Sequence, residues 1–390
     1  STAVGGAETA RELVAQVTPA EAGRTADLAL LFASAHFEDE LEKIAAEIHD
    51  LLRPRAFIGA TGEAVIGGDQ EFEHQPAITL WSAHLPGATA TSFHLSEDEL
   101  AGLDTAAGLQ EHLGVRAEER PYFVMLGDPY TFSGGVMGLL ELLAQVYPGR
   151  PTIGGMASAA EQPGQNALVF DGQVLRHGLV GVALRGNVRV DTVVSQGCRP
   201  IGRHMVITKA DRNVIYQLGG RPPLAVVSEL LNECPPHDIE LARARGLLVG
   251  RVINEYQKSF SRGDFLIRNP IGFDSNSGAM AVNDLVRTGQ TIQFHVRDGE
   301  SASEDLSLLL AAARREPAAG ALLFSCNGRG TRLFAQRHHD ARAVRTSCGG
   351  IPLAGFFCAG EIGPVGERNF LHGHTASLGL FRPAEPQGDA

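Results

Sequence analysis

The sequence predicts an α/β protein, with α+β as the alternative, made of two related halves built from duplicated strand-helix-strand units on mixed sheets. Three observations carry this. The order apolar strand, amphipathic helix, proline, strand, Gly-Glu occurs near the start of the chain and again near its end. The tetrapeptide Ala29-Leu30-Leu31-Phe32 returns letter for letter as Ala321-Leu322-Leu323-Phe324, and a weaker third version lies between the two. The 46 glycines in 390 residues exceed the roughly 7% norm, as many tight turns between short elements require.

The first copy opens with the strand 29–32. A helix over about 38–52 follows, with Phe37, Leu41, Ile44, Ala45, Ile48 and Leu52 on one face. Pro54 precedes a strand ending at Thr61-Gly62-Glu63, and another strand covers 77–81. The middle version runs from a strand at 122–126 through a helix over 134–147 to Pro151 and Ile153-Gly154-Gly155. A hairpin then pairs 167–171 with 174–184 around Asp171-Gly172. Residues from about 191 to 298 read as strands and hairpins with interspersed helices, one starting at Pro222-Pro223, where proline fits a first helical turn. Ser96 with Glu99, and Ser301 with Glu304, have capping-box spacing and predict helix starts. In the last copy a helix begins at Gly330, Pro352 leads a strand into Ala359-Gly360-Glu361, and a strand at 376–381 closes that copy. The expected divisions are a flexible segment 1–26, a domain 27–190, a second domain 191–382, and a flexible tail 383–390.

Composition narrows the function. With 33 Lys plus Arg against 45 Asp plus Glu, the formal charge of −12 repels phosphate polymers and anionic lipid, so nucleic acid is not expected as a partner. Five cysteines form no disulfide framework and fit a reducing compartment. The first twenty residues carry charges throughout, unlike a secretory signal, and no run is long and apolar enough for a membrane span. A cytoplasmic protein without membrane insertion is expected.

No GxxxxGK[ST], HExxH, GxSxG, paired CxxC or EF-hand loop is present. The sharpest candidate site is the run Ser325-Cys326-Asn327-Gly328-Arg329-Gly330-Thr331-Arg332, between a strand and the expected helix. Backbone amides and the helix dipole there would cradle a carboxylate and lower the Cys326 pKa. Cys326 then either lines a ligand pocket or acts as a nucleophile, since Cys326 and Arg332 have the C-x5-R spacing of cysteine phosphatases. Against the phosphatase, Ser325 stands where those enzymes have His, and Leu333 where they have Ser or Thr. The bland alternative is a tight turn with a small buried cysteine. Cys358, Gly360 and Glu361 end the partner strand, so both loops would open at one sheet edge, with Glu361 accepting a ligand amine or pairing with Arg329. Glu63 is its counterpart in the first copy. Arg268 and Asn269, beside a turn that also holds Asp274, offer a carboxylate clamp or a structural ion pair. His338, His339, Cys348, His372 and His374 join Cys326 and Cys358 in the last fifth of the chain, but their spacings match no compact metal or haem site.

With the two Gly-Glu turns, PTIGGMAS (151–158), FLIRNP (265–270), LFSCNGRG (323–330) and AGFFCAGE (354–361), the chain resembles the FIST family over about 27–381, as a FIST N-terminal region followed by a FIST C-terminal one. The resemblance implies an intracellular sensory module for small ligands such as amino acids. It also implies haem as a possible cofactor, since some members are haem-dependent sensors, although no haem-ligating histidine is matched here. No kinase, cyclase, methyl-accepting or F-box segment remains outside the matched region, so the expected output is a separate signalling protein.

Overall fold

The computed structural model describes residues 5–21, 25–103 and 105–384. By contacts the chain forms two compact units. One comprises Ser1–Val194, Ser307–Leu371 and Thr375–Ala390, and the other Ser195–Leu306 with His372–His374.

The first unit starts with helix α1 (Gly6–Glu21). The first copy is β1 (Leu28–Ser34), α2 (Leu41–Leu52), β2 (Phe57–Gly62), the hairpin β3 (Ala64–Gly67) and β4 (Gln70–Glu73), then β5 (Ile78–Ala83). Strand β6 (Ala88–Leu95) and helices α3 (Glu97–Ala101) and α4 (Ala106–Leu113) lead to the second copy. That copy is β7 (Tyr122–Gly127), α5 (Ser133–Val146), β8 (Thr152–Met156), the hairpin β9 (Leu168–Phe170) and β10 (Gln173–Leu175), then β11 (Leu179–Gly186), and β12 (Arg189–Gln196) follows. The second unit holds β13 (Cys198–Asp211), β14 (Val214–Leu218), α6 (Pro223–Glu233), α7 (Pro236–Arg245), β15 (Leu247–Val252), β16 (Phe265–Arg268), β17 (Pro270–Phe273), β18 (Met280–Val282) and β19 (Thr291–Arg297). Helix α8 (Gly299–Ala313) then leads to the third copy, β20 (Gly320–Cys326), α9 (His339–Ser347), β21 (Leu353–Cys358), the hairpin β22 (Glu361–Val365) and β23 (Arg368–His372), and β24 (Thr375–Arg382).

All three copies therefore lie in the first unit, and they share one plan. In each, the two strands flanking the helix are parallel neighbours: β1 with β2, β7 with β8, β20 with β21. The last strand of each copy pairs antiparallel with its first: β5, β11 and β24. The intervening hairpins are exchanged in a ring. The first copy's β3 joins β21, the second copy's β9 joins β2, and the third copy's β22 joins β8. This mixed-sheet α/β architecture is the predicted class, and the weak middle repeat is a full member of it.

The three sheets contribute to one core containing Leu30, Phe32, Val124, Leu126, Ile153, Leu322, Phe324 and Phe356. Phe32 and Phe324, equivalent positions of the repeated tetrapeptide, meet edge to face at 6.2 Å, and Phe356 stacks on Phe32 at 5.3 Å. The strands are apolar without alternation because both faces are covered. Helix α2 lies on the opposite side with Leu41, Ile44, Ala45, Ile48 and Leu52, the face read from the sequence. The second unit carries the sheet β16-β15-β19-β13-β14-β18-β17.

Several local expectations are revised. The lead-in read as loose contains α1, whose Ala10 and Leu13 bury in the same cluster as the α2 face. The run 174–184 is two strands, because the chain leaves the Asp171-Gly172 turn on β10 and departs at Gly178, at φ +80°, to join β7 as β11. Helix α8 begins at Gly299, and Asp298 rather than Ser301 accepts at its start, from Glu300 N and Ser301 Oγ. Helix α6 and the Ser96–Glu99 capping box are as expected. Of the tail 383–390, residues 385–390 lie outside the described residues.

Candidate functional site

Strands β20 and β21 run side by side in register, Cys326 opposite Cys358. Each then bends. After β20 the chain turns back, Arg329 N donating to Cys326 O (2.8 Å) and Gly328 N to Cys326 Sγ (3.4 Å). After β21 it crosses to β8, with Met156 N donating to Gly360 O (2.8 Å) and Ala359 N to Met156 O (3.0 Å). Asn327 N donates to Cys358 O (3.0 Å), so the two loops predicted to share one edge adjoin there. Ser158, just past β8, ties in the first copy. Its amide donates to Thr61 O, its hydroxyl donates to Phe357 O, and it accepts from Glu63 N (2.9 Å).

Glu361 is fully buried at this junction. Its Oε2 accepts from Thr375 N (3.1 Å), the Cys326 thiol bonds the carboxyl, and Oε1 has no protein partner. Burial drives its pKa well above the carboxylate range. The Cys358 thiol is likewise pushed up, by burial and then by the neighbouring Glu361 and Cys326.

Arg329 is 1% exposed, and its guanidinium forks onto Asp340 of α9, Nε to Oδ2 at 2.6 Å and Nη2 to Oδ1 at 2.9 Å. Burial alone would raise the Asp340 carboxyl, but Arg329 outweighs it and holds it well below the usual range. Ser325 Oγ also donates to Asp340 (3.0 Å), and His339, at 2.9 Å from it, stacks on Phe334. Nη1 of Arg329 and Oδ1 of Asn327 are buried without a hydrogen-bond partner. On β4, Glu71 accepts from Ala341 N (2.9 Å), and burial followed by the Asp340 charge pushes it up to about 8.

The expected helix at Gly330 is replaced by a three-residue 3-10 turn, Gly330–Arg332, and α9 starts only at His339. Cys326 is therefore not at a helix N-terminus. The carboxylate that this loop holds at Thr331 is the protein's own. Glu73 of β4 accepts from Thr331 N (3.1 Å) and Thr331 Oγ1 (2.7 Å), and Gly330, at φ +56°, leaves room for that carboxylate. Arg332 pairs with Glu63 (Nη1 to Oε2, 3.0 Å) and donates to Asn327 O (2.9 Å). With these amides and Arg332 engaged internally, the C-x5-R spacing builds no open phosphate loop. Glu361 does not form the ion pair with Arg329 considered from the sequence, because Asp340 takes the guanidinium.

Arg268 and Asn269 belong to the second unit. Arg268 and Arg251 share Asp284, each Nε 3.0 Å from Oδ2, and Asn269 Oδ1 lies 3.0 Å from His374 Nε2. Arg268 is thus half of a structural ion pair, with Asp284 rather than Asp274, whose carboxylate accepts within its own turn from Asn276 and Ser277. His338 Nδ1 accepts from Glu71 N (2.9 Å). Among the described residues, no group of three or more His, Cys, Asp or Glu side chains is arranged to hold a metal ion. Glu71, Glu73 and Asp340 escaped the sequence reading, and Ser158 entered it only as the end of the 151–158 motif. The one available signal was the buried acid pair in Gln70-Glu71-Phe72-Glu73, two residues apart and so on one face of a strand.

The FIST N domain matches residues 27–221 and the FIST C domain residues 223–364. An uncharacterised protein of Mycobacterium tuberculosis is 41% identical over 377 residues, 95% of each chain. Another, of Mycobacterium bovis, is 39% identical over 377 residues, 96% of this chain and 95% of its own. The chain belongs to the FIST family, whose domains are generally signal-transduction sensory domains.

Proposed function

We propose that the chain is a cytoplasmic sensory protein that binds a small polar metabolite, an amino acid or organic acid, where the ends of β20 and β21 meet. The observation that carries this reading is the set of buried polar atoms without protein partners, Glu361 Oε1, Asn327 Oδ1 and Arg329 Nη1. Leaving such groups unsatisfied costs about 1–3 kcal/mol each, so a molecule that pairs them gains correspondingly. The set is mixed in kind. Arg329 Nη1 is a donor for a carboxylate, while Asn327 Oδ1 and Glu361 Oε1 accept from an amine. Cys326, Gly328, Gly330, Cys358 and Gly360 belong to the same two strand ends.

A narrow crevice lined by Glu63, Ala64, Glu73, His74, Asn327, Arg332 and Phe357 borders the site and has no room for a water-sized sphere. Entry therefore requires the Arg332–Glu63 pair to part. Output passes to a separate signalling protein. The charge of −12 argues against nucleic acid, and no helix among the described residues is long and apolar enough to cross a membrane.

The test is a thermal-shift screen against amino acids and small organic acids. A ligand at a hundred times its Kd stabilises by about 2.7 kcal/mol, and Asn327→Ala should abolish the shift of any hit. A full panel without a shift, or hits indifferent to Asn327→Ala and Glu361→Gln, would count against this site.

A further inference from the structure

We infer that Cys326 and Cys358 form a redox modification site, closing an intramolecular disulfide across β20 and β21 when a peroxide enters at Cys326. This goes beyond ligand binding and does not depend on it.

The register places the two cysteines directly opposite each other on adjacent parallel strands. Such neighbours lie roughly 4.7–4.9 Å apart, inside the window of about 4.4–6.8 Å between Cα atoms that a disulfide spans. Equal register also sends both side chains to the same face of the sheet. Both hold thiols in the structure, and each lies close enough to Glu361 to act on it or be acted on by it. Their access differs: Cys326 is partly exposed where the strand ends, whereas Cys358 is fully buried. Gly155 of β8 adjoins Cys358, and a Cβ there would lie 2.3 Å from its sulfur, so the backbone leaves the thiol space only because this residue is glycine.

The asymmetry assigns the roles. Cys326, as thiolate, attacks one oxygen of hydrogen peroxide. The O–O bond breaks, leaving a sulfenic acid on Cys326 and releasing one water once protons are shared. The Cys358 sulfur then attacks the Cys326 sulfur, the S–S bond forms, and the hydroxyl leaves as a second water with the Cys358 thiol proton. Two thiols and one peroxide give one disulfide and two waters, the sulfurs losing two electrons and the peroxide gaining them. The product staples together the two bends that flank Glu361 and removes the thiol that bonds its carboxyl.

The experiment treats reduced full-length protein with hydrogen peroxide, alkylates it in denaturant, and maps disulfides by mass spectrometry of non-reduced digests. The expected result is a Cys326–Cys358 linked species, 2 Da lighter and reversed by reductant, with Cys198, Cys234 and Cys348 still alkylated. In Cys358→Ala, Cys326 should instead accumulate a sulfenic acid that dimedone traps. In Cys326→Ser, Cys358 should stay a thiol. Wild-type mapping needs no variant to fold. Stable Cys326 sulfenic acid in wild type without the link, or a disulfide joining either cysteine to another partner in preference, would overturn the inference.

Discussion

Arg329 and Asp340 form a two-pronged ion pair in which both side chains are 1% exposed, joining the loop after β20 to helix α9. A buried pair of this kind contributes less than its Coulomb energy suggests, because both ions left water, but losing one partner strands the other. Asp340→Asn should therefore destabilise by about 3–5 kcal/mol, as Arg329→Ala should. The double variant Arg329→Met with Asp340→Leu should recover most of the loss. Urea unfolding of the three variants checks this, and a double variant no better than the singles would show that the pair does more than neutralise itself.

Stability should fall as pH rises above about 6.5 through 8, and Glu71 is the reason. Its folded pKa of about 8 exceeds the ordinary 4.5, so the native state keeps a proton that the unfolded chain has released. Between these values the unfolded state binds fewer protons, which makes the stability slope negative. Glu361, also raised, adds in the same direction. His295 opposes them lower down. Burial depresses it to about 4, so its contribution is present above 6.5 and is lost as pH falls from 6.5 toward 4. Glu71→Gln should remove its share of the fall from about pH 4.5 to 8, leaving the part due to Glu361 and steepening the His295 rise between pH 4.5 and 6.5, as chemical denaturation across that range would reveal.

How much of this was legible in the residues alone differs between elements. The repeated strand-helix-strand order was visible because strands buried on both faces are written as unbroken apolar runs, and because α2 displays its buried face at helical spacing. That the loops after Cys326 and Cys358 open at one sheet edge followed from that order, whereas the register that sets the two cysteines opposite each other did not. What fills the Cys326 loop did not. Glu73 and Asp340 reach it from β4 and α9, and β4 arrives only through the hairpin exchange that sets the first copy's β3 beside β21. Local sequence around Gly330 looks like a helix start, yet the left-handed Gly330 and the Glu73 carboxylate hold a single 3-10 turn instead.

The Arg332–Glu63 pair should govern access rather than stability. Both side chains are substantially exposed, 48% and 30%, and such pairs contribute about 0–1 kcal/mol. Arg332→Ala should thus leave the melting curve within that range while speeding ligand association and dissociation together. Stopped-flow measurement with any ligand found in the thermal-shift screen distinguishes this from a binding role, in which the equilibrium constant would move as well.

Gly330 and Gly219 share a backbone angle, φ +56° in each, but not their surroundings. A Cβ on Gly219 would meet nothing within 4 Å, whereas one on Gly330 would lie 2.7 Å from Glu73 Oε2 and as close to the Phe357 ring. Alanine at either position bears the cost of the left-handed region, about 1–2 kcal/mol. Only at Gly330 does it also dislodge a carboxylate from the Thr331 amide and hydroxyl, and hydrogen bonds to charged groups contribute about 1.5–3 kcal/mol each. Gly330→Ala should therefore destabilise by at least about 1.5 kcal/mol more than Gly219→Ala. The difference between them isolates what the internal carboxylate contributes to the loop. Glu73→Gln should reproduce much of it without touching the backbone, and equal effects of the two glycine substitutions would mean that Glu73 does not hold the turn in place.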